Sequence, residues 1–377
     1  MRSISKQLLM TMAFGVLLPI PAIADNADLQ QLQKRIEDLE KQRPAEEKSS
    51  NWVLNSEAMQ FYGQLRVSVD NHSGDWKAGT KGTSIVSNAS RIGVKGAIPS
   101  GLLDSSVIYL GEVRYESTDA VDGTAGKQLE FREGYAGLAS PTWGKIRLGR
   151  LDTAYKTTLT ELDPWGDNAP ESRSGGRQGS SELHASYFNN AADYVTPEFV
   201  KGLTGSAWYA SEFDNAANSF HNTTTLKTFT GGSASGLGVK YSIGPFFIGA
   251  DYINLDADKI TKTGLTNANG WQIGSRYKIK DFSVAAFYED TVDLGLGKNI
   301  YINGIYKLGK ARLIAAYGTN KDGSVYSNDK YINLSLGGKY DLDKKSELFA
   351  AYNTRQNDTK NTEENTITIG LNAKFGY

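Results

Sequence analysis

The residues that could carry out covalent or metal chemistry in this chain are few. Its 377 residues include three histidines, His72, His184 and His221, and no cysteine. No His-x-x-x-His spacing indicates a metal site, and no Walker A motif is present. A catalytic nucleophile needs a positioned base, and the two histidines in predicted loops, His72 and His221, are poor candidates for one. We therefore predict no catalytic residue, no metal, no cofactor and no enzymatic activity.

Charged residues offer a different kind of chemistry. A polar segment of about thirty residues, 152–182, carries six acids and three bases and is long for a connection without structure of its own. The candidate acids in it are Glu161, Asp163, Asp167 and Glu171. The candidate bases that precede it are Arg66, Arg91, Arg114, Arg132 and Arg150. Charges of opposite sign attract one another when the fold brings them close, so what these residues do depends on the elements that position them.

Composition narrows the class of protein. The formal net charge is −1, so no basic excess points to nucleic acid as a partner. One continuous apolar stretch, near residues 8–24, is too little for a bundle of membrane helices. The chain is nevertheless rich in Tyr (20), Phe (14) and Gly (40). A transmembrane β-barrel is compatible with these numbers, because it needs only every second residue to be apolar.

The N-terminus has the features of an export signal. Arg2 and Lys6 precede an apolar core, and Ala22-Ile23-Ala24 forms a small-residue cleavage site. We predict that residues 1–24 are a signal peptide.

A short helical segment follows the signal. Leu29, Leu32, Ile36 and Leu39 are spaced as the seam of a coiled coil within residues 25–43. Two heptads are marginal as an isolated helix, so the alternatives are weak oligomerisation and a lone amphipathic helix. Residues 44–57, which begin at Pro44, form a polar linker. A tether to the cell wall through this helix is a further hypothesis.

From residue 58 to residue 377 the period of the pattern changes to two. Phe61, Leu65 and Val67 fall on one face of a strand, and Tyr62 and Arg66 fall on the other. Sixteen strands are predicted, at 58–70, 84–97, 105–117, 127–139, 143–152, 183–195, 203–213, 232–242, 245–255, 267–279, 281–290, 298–308, 310–319, 330–342, 345–355 and 364–377. Tight turns alternate with longer polar connections. We predict an all-β fold, a 16-stranded antiparallel transmembrane β-barrel with an aqueous lumen, preceded by the short coiled-coil helix.

The side on which each arginine lies follows from its strand parity. A charge at the lipid midplane costs roughly 2–4 kcal/mol, so Arg66, Arg91 and Arg114 should face the lumen. For Arg132 this orientation would leave its neighbour Glu133 outside, which either a subunit contact or a bulge could accommodate. Arg147 and Arg150 have opposite parity, and parity alone does not decide which of the two faces the lumen.

The chain resembles the general trimeric porins of Gram-negative outer membranes through four segments: FYGQLRVSVD, SRIGVKGAIPSGL, FREGYAGLASPTWGKIRLGR and ADYVTPEFVKGLTGSAWYAS. The aromatic C-terminal strand adds to the likeness, while the second half of the barrel matches only in pattern. The resemblance implies a homotrimer in outer-membrane lipid, with a third long loop that folds inward and narrows the pore. It also implies that wall arginines, with Arg150 at the family position, face the loop acids.

One position departs from the family pattern. Phe188 stands where the family often has a third wall arginine, which weakens the case for strong anion selectivity. The resemblance implies passive diffusion of small hydrophilic solutes and ions. The alternative is a substrate-specific channel for sugars or carboxylates, lined by inward aromatic residues such as Tyr62, Tyr301 and Phe349.

Overall fold

The computed structural model describes residues 58–76, 80–118, 129–185, 187–212, 229–230, 232–256, 259–260 and 267–376. The predicted signal peptide, coiled-coil helix and linker (1–24, 25–43 and 44–57) lie outside these ranges. No helix in the described part is long and apolar enough to cross a membrane.

The described chain is built almost entirely of antiparallel strands, as the alternating pattern predicts. The strands are β1 Met59–Gly74, β2 Gly82–Ser87, β3 Arg91–Pro99, β4 Ser106–Tyr115, β5 Leu129–Ser140, β6 Gly144–Leu151, β7 Phe188–Val195, β8 Leu203–Glu212, β9 Phe229–Thr230, β10 Ser233–Ile243, β11 Phe246–Asp256, β12 Lys259–Ile260, β13 Asn267–Ile279, β14 Phe282–Thr291, β15 Gly297–Leu308, β16 Ala311–Lys321, β17 Tyr331–Asp341, β18 Ser346–Asn357 and β19 Thr362–Phe375. Strands β9 and β12 pair only with each other, and β2 and β3 both pair with β1 as two parts of one strand. The sheet is therefore a closed barrel of sixteen strands, which confirms the predicted fold class.

The first and last strands close the barrel. β1 pairs with β19 from Gly63–Phe375 to Gly74–Glu364, so neither strand leaves an unpaired edge. A Cβ atom on Gly63 would lie only 2.2 Å from the Phe375 ring. The absence of a side chain at position 63 therefore makes room for the aromatic residue at the seam.

The two faces of the sheet differ as the period of two predicts. Outward side chains such as Leu237, Leu336 and Ile369 are exposed and apolar. Inward side chains such as Asn299 and Asn333 are polar and almost completely buried. An apolar outer face with a polar interior is the arrangement of a barrel in lipid.

Three irregularities interrupt this alternation. β2 and β3 are separated by Ala89, which has a φ of 59°. A register shift between β4 and β5 leaves Arg132 as an extra residue, with Glu133 opposite Glu112 and Phe131 opposite Val113. Such a bulge re-aims side chains, and it places both Arg132 and Glu133 inside.

A second register shift lies between β6 and β7, at Gly149–Leu151. It allows Arg147 and Arg150 to face inward together while Ile146 and Leu148 remain exposed outside. The predicted strand 183–195 begins only at Phe188, because Glu182–Ala185 forms a 3-10 turn.

The connections alternate in length, with two exceptions. Short turns on one rim join β10 to β11, β13 to β14 and β15 to β16. On the other rim, residues 292–296 and 358–361 are shorter than predicted because their strands extend beyond the expected ends. The connection between β6 and β7, residues 152–187, is the long segment singled out in the sequence, and we call it the inner loop.

Candidate functional site

The inner loop begins as a short helix that lies on the inner face of the barrel. Helix α1, Ala154–Thr160, packs against β10, β11 and β13. Leu159 and Leu162 join a buried apolar cluster with Phe247, Phe287 and Tyr301 of the wall. Removal of this apolar surface from water favours the folded-in position of the loop.

Both ends of the loop are tied to one buried carboxylate, Glu289 of β14. Its oxygens accept hydrogen bonds from Tyr155 Oη at 2.7 Å, from the Ser181 amide at 2.8 Å and from Asn299 Nδ2 at 2.9 Å. Ser181 Oγ donates as well, at 2.7 Å, and His184 Nε2 lies 3.1 Å away. A carboxylate with no exposed surface needs such donors, so this anchor fixes the loop against the wall.

The middle of the loop is held by a second set of contacts. Trp165 is fully buried against Ile314 and Phe349. Asp163 accepts hydrogen bonds from the amides of Trp165 at 2.9 Å and Ser172 at 2.7 Å, and from Tyr301 Oη at 3.2 Å. The Asp163 carboxylate thus shapes the loop, although it also lines the passage.

The tip of the loop reaches the arginines of the wall directly. Asp167 Oδ2 lies 3.0 Å from Arg66 Nη1 and 3.0 Å from Arg91 Nη1. Its other oxygen pairs with Arg173, which belongs to the loop itself. Burial alone would raise the pKa of the Asp167 carboxyl, but the three guanidinium groups outweigh it and hold this pKa well below its usual range.

A wall carboxylate extends this network of charges. Glu112 lies between two arginines, 3.5 Å from Arg91 Nε and 3.0 Å from Arg132 Nε, and Tyr62 donates to it at 3.0 Å. Arg132 also donates to Tyr187 Oη at 2.7 Å. The arginines are therefore partly neutralised by the wall as well as by the loop.

Arg147 and Arg150 occupy different environments. Arg147 pairs with Asp193 at 2.6 Å and lies 3.4 Å from Glu133 and 3.3 Å from Asp152. Arg150 donates to the Arg132 carbonyl at 2.7 Å and to Asn189 Oδ1 at 2.6 Å. Arg150 thus stabilises the backbone of Arg132 and does not line the cavity between the loop and the wall.

Lys156 of helix α1 stacks over the Tyr187 ring, with Nζ 3.3 Å from the ring centre. Burial lowers the pKa of the Lys156 ammonium well below its usual range, and Arg132 and Arg173 lower it further. The loop thus adds an amine of its own next to the wall arginines, in surroundings that disfavour its protonated form.

Three of the candidate residues lie away from this network or on its margin. Arg114 forms an ion pair with Glu116 at 3.0 Å and lines a separate cavity towards the long-loop rim. Glu161 is half-exposed and lies 3.4 Å from Arg276 on the opposite wall. Glu171 pairs with Arg173 and accepts the Asp167 amide at 2.6 Å. The Asp167 carboxylate, by contrast, is in direct contact with the wall arginines.

A cavity of about 410 Å³ lies between the loop and the wall, next to the ion pairs of Asp167. The wall contributes Arg66, Arg91 and Arg132, and the loop contributes Thr160 and Asp167. Phe188 is buried against Trp208 with ring centres 4.5 Å apart.

The residues of this site that the sequence does not indicate are Glu112, Arg173, Tyr187 and the Glu289 anchor. Inward parity could have found Glu112, but the loop residues have no periodic signal. Within the described ranges, no group of three or more His, Asp or Glu side chains is placed to hold a metal ion.

Comparisons with known proteins decide the family. The model of the Gram-negative porin family matches residues 45–360. The chain belongs to the Gram-negative porin family. This porin is 24% identical over 330 residues to an outer membrane porin protein of Bordetella pertussis, covering 77% of this chain and 83% of the relative. It is also 24% identical over 319 residues to outer membrane porin protein OmpD of Citrobacter koseri, covering 76% and 84%.

Solved structures share the fold of the porin. OmpF of Salmonella typhi, in complex with daunomycin, superposes with a TM-score of 0.62 at 17% identity, over 84% of this chain and 97% of the other. A loop-deletion variant of OmpT of Vibrio cholerae gives a TM-score of 0.58 at 18% identity, over 84% and 99%. The protein is thus an outer-membrane diffusion channel, and its lumen is the functional site.

Proposed function

We propose that this porin passes small hydrophilic solutes and ions with weak charge selectivity, and that its constriction is the cavity between the inner loop and Arg66, Arg91 and Arg132. The observation that carries the proposal is the direct pairing of Asp167 with Arg66 and Arg91 at 3.0 Å. Loop and wall charges therefore compensate each other where the passage is bounded on both sides.

The compensation extends beyond Asp167 and accounts for weak selectivity. Glu112 shares its charge between Arg91 and Arg132, and Phe188 contributes no charge. Low-dielectric walls still focus the remaining field across the passage, so a polar solute should be oriented as it passes. The other candidate residues, Arg114, Arg150, Glu161, Asp163 and Glu171, are proposed to shape the field or the loop around it.

A channel specific for sugars is less well supported. The three inward aromatic residues expected to form a binding slide, Tyr62, Tyr301 and Phe349, are 3%, 0% and 2% exposed. Tyr301 and Phe349 are covered by the inner loop. Rings that are almost completely buried offer little surface for a slide, which favours unspecific diffusion.

The assembly and the N-terminal segments complete the proposal. We infer that residues 1–24 direct export, that the barrels assemble as a homotrimer in outer-membrane lipid, and that residues 25–43 form a coiled-coil helix on the linker 44–57. Two heptads contribute little unless the barrels already bring the helices together. A contact of this helix with the cell wall is compatible with a pore.

Reversal potentials across a KCl gradient in planar bilayers test the proposal. We expect discrete conductance steps and a reversal potential close to zero, because the charges at the passage are compensated. Conductance that saturates or is blocked at low concentrations of a neutral sugar would instead support the specific channel. Absence of conductance from the folded protein would contradict the proposal.

A further inference from the structure

A third cavity, of about 480 Å³, lies at the rim of the short turns. In outer-membrane barrels the short turns face the periplasm. Seven basic and three acidic residues line this cavity, a formal balance of +4. We propose that it is a binding site for divalent inorganic anions of the phosphate or sulfate type at the periplasmic mouth of the channel.

The arrangement of the bases in the sheet is the first argument. Lys307 of β15 lies directly opposite Arg312 of β16, and Arg312 lies directly opposite Lys339 of β17. Like charges in directly opposed positions of neighbouring strands destabilise a sheet. Three bases in one row are therefore unfavourable unless negative charge lies among them.

The protein supplies only part of that negative charge. Glu347 lies 2.5 Å from Arg312 and 2.9 Å from Lys339, and Asp341 lies 2.6 Å from Arg312. Lys307 forms no ion pair with a carboxylate of the described residues, and the same holds for Lys374 of β19.

These two lysines give the site its open donors. Both side chains are exposed and lie on the lumen side of their strands, by parity with Asn303 and Asn372. Both line the same cavity as Arg312 and Lys339. Two ammonium groups that border one space are suited to an anion with several acceptor oxygens, through charge-assisted hydrogen bonds.

The position of the site connects it to transport. Arg66 and Lys339 line both this cavity and the constriction. An anion that leaves the constriction therefore meets the basic row before it reaches the periplasm. Rings of Lys and Arg are the lining used by anion pores, and here the site would retain divalent anions more strongly than chloride.

The inference rests on the proposed function, because a site in the lumen affects permeation only if the lumen conducts. The test uses the full-length channel in planar bilayers in 0.1 M KCl at pH 7.5, with inorganic phosphate added to both sides at constant ionic strength. Low salt limits the screening of the site. We expect phosphate to reduce the chloride current in a saturable manner. A parallel series with glycerol phosphate shows whether the site binds only free inorganic phosphate or also a phosphate group attached to an organic solute.

Paired variants identify the site. Lys307→Gln with Lys374→Gln should raise the half-saturating phosphate concentration about tenfold, since contacts to charged groups are lost. Lys201→Gln with Lys280→Gln is the matched control, because it removes two lysines from turns of the same rim outside the cavity lining. This control should leave the half-saturating phosphate concentration unchanged.

The outcomes are distinct. A wild-type channel that conducts chloride without saturable reduction by phosphate would overturn the inference and leave the porin function standing. An unchanged half-saturating phosphate concentration in Lys307→Gln with Lys374→Gln would also overturn the inference. An equal increase in this variant and in the control would do the same. A wild-type protein that does not conduct would contradict the proposed function itself.

Discussion

At the scale of single residues, one carboxylate joins loop and wall. Asp167 accepts from Arg66 and Arg91 of the wall and from Arg173 of the loop. The carboxylate oxygens of Asp163, four residues earlier, accept hydrogen bonds from the backbone amides of Trp165 and Ser172. Two acids that look equivalent in the sequence thus have different tasks.

Asp167→Asn should shift the reversal potential towards anions. The change leaves three guanidinium groups without their shared counter-charge, and one unit charge at about 4 Å in water corresponds to about 1 kcal/mol. We expect the chloride-to-potassium permeability ratio to rise about fivefold. Bi-ionic reversal potentials in planar bilayers measure this ratio.

Asp163→Asn is the matched comparison, with the same loss of charge. An amide group cannot accept hydrogen bonds from two backbone amides with both of its polar atoms, so the loop should lose about 1–3 kcal/mol of local stability. We expect a noisier current through the open channel. The shift in the chloride-to-potassium permeability ratio should be smaller than for Asp167→Asn. Equal shifts in the two variants would show that Asp167 has no special place in the field.

Arg91→Ser and Arg150→Ser form a second matched pair. Arg91 lines the passage, whereas Arg150 is bound to the Arg132 carbonyl and to Asn189 behind it. We expect Arg91→Ser to shift the reversal potential towards cations and Arg150→Ser to shift it much less. A larger shift for Arg150→Ser would place that guanidinium in the passage instead.

At the scale of elements, the inner loop is a separate unit held by the barrel. Its helix packs on β10, β11 and β13, and its two ends converge on Glu289. The barrel strands are held together by ladders of backbone hydrogen bonds. The loop depends on a few side-chain contacts, so its stability can change while the barrel stays intact.

Tyr155→Phe should loosen the loop without unfolding the barrel. It removes one hydrogen bond to the buried Glu289 carboxylate, a contact of about 1.5–3 kcal/mol. Single-channel records should show more frequent brief changes of conductance. Tyr352→Phe is the control, because the exposed Tyr352 side chain donates its hydrogen bond to Asn365 Oδ1 on the outer face of the barrel. Equally quiet records from both variants would contradict the role of the anchor.

The strands could be predicted because their signal is local. Period two and the turns at Gly244-Pro245 or residues 309–310 follow from neighbouring residues. The conflict between Arg132 and Glu133 left a bulge and a subunit contact as alternatives, and the register shift between β4 and β5 decides for the bulge. The loop anchor could not be predicted. Tyr155 and Glu289 are 134 residues apart and Asp163 and Tyr301 are 138 apart, so no local pattern connects them.

At the scale of the whole molecule, the lumen is organised along its axis. The proposed constriction lies between the inner loop and the wall arginines, and the basic cavity lies at the short-turn rim. The apolar outer face places this axis across the lipid. The central claim is that solute passes between the inner loop and the arginine side of the wall.

The absence of cysteine allows the most direct measurement of that claim. Thr160→Cys places a single thiol on the loop, at the surface of the cavity. A charged sulfonate thiol reagent should then lower the single-channel conductance and shift the reversal potential towards cations. Ser327→Cys, on an exposed connection between β16 and β17, should react with little effect. If mass spectrometry shows Thr160→Cys fully modified while conductance and reversal potential stay at the unmodified values, solute does not pass beside the inner loop.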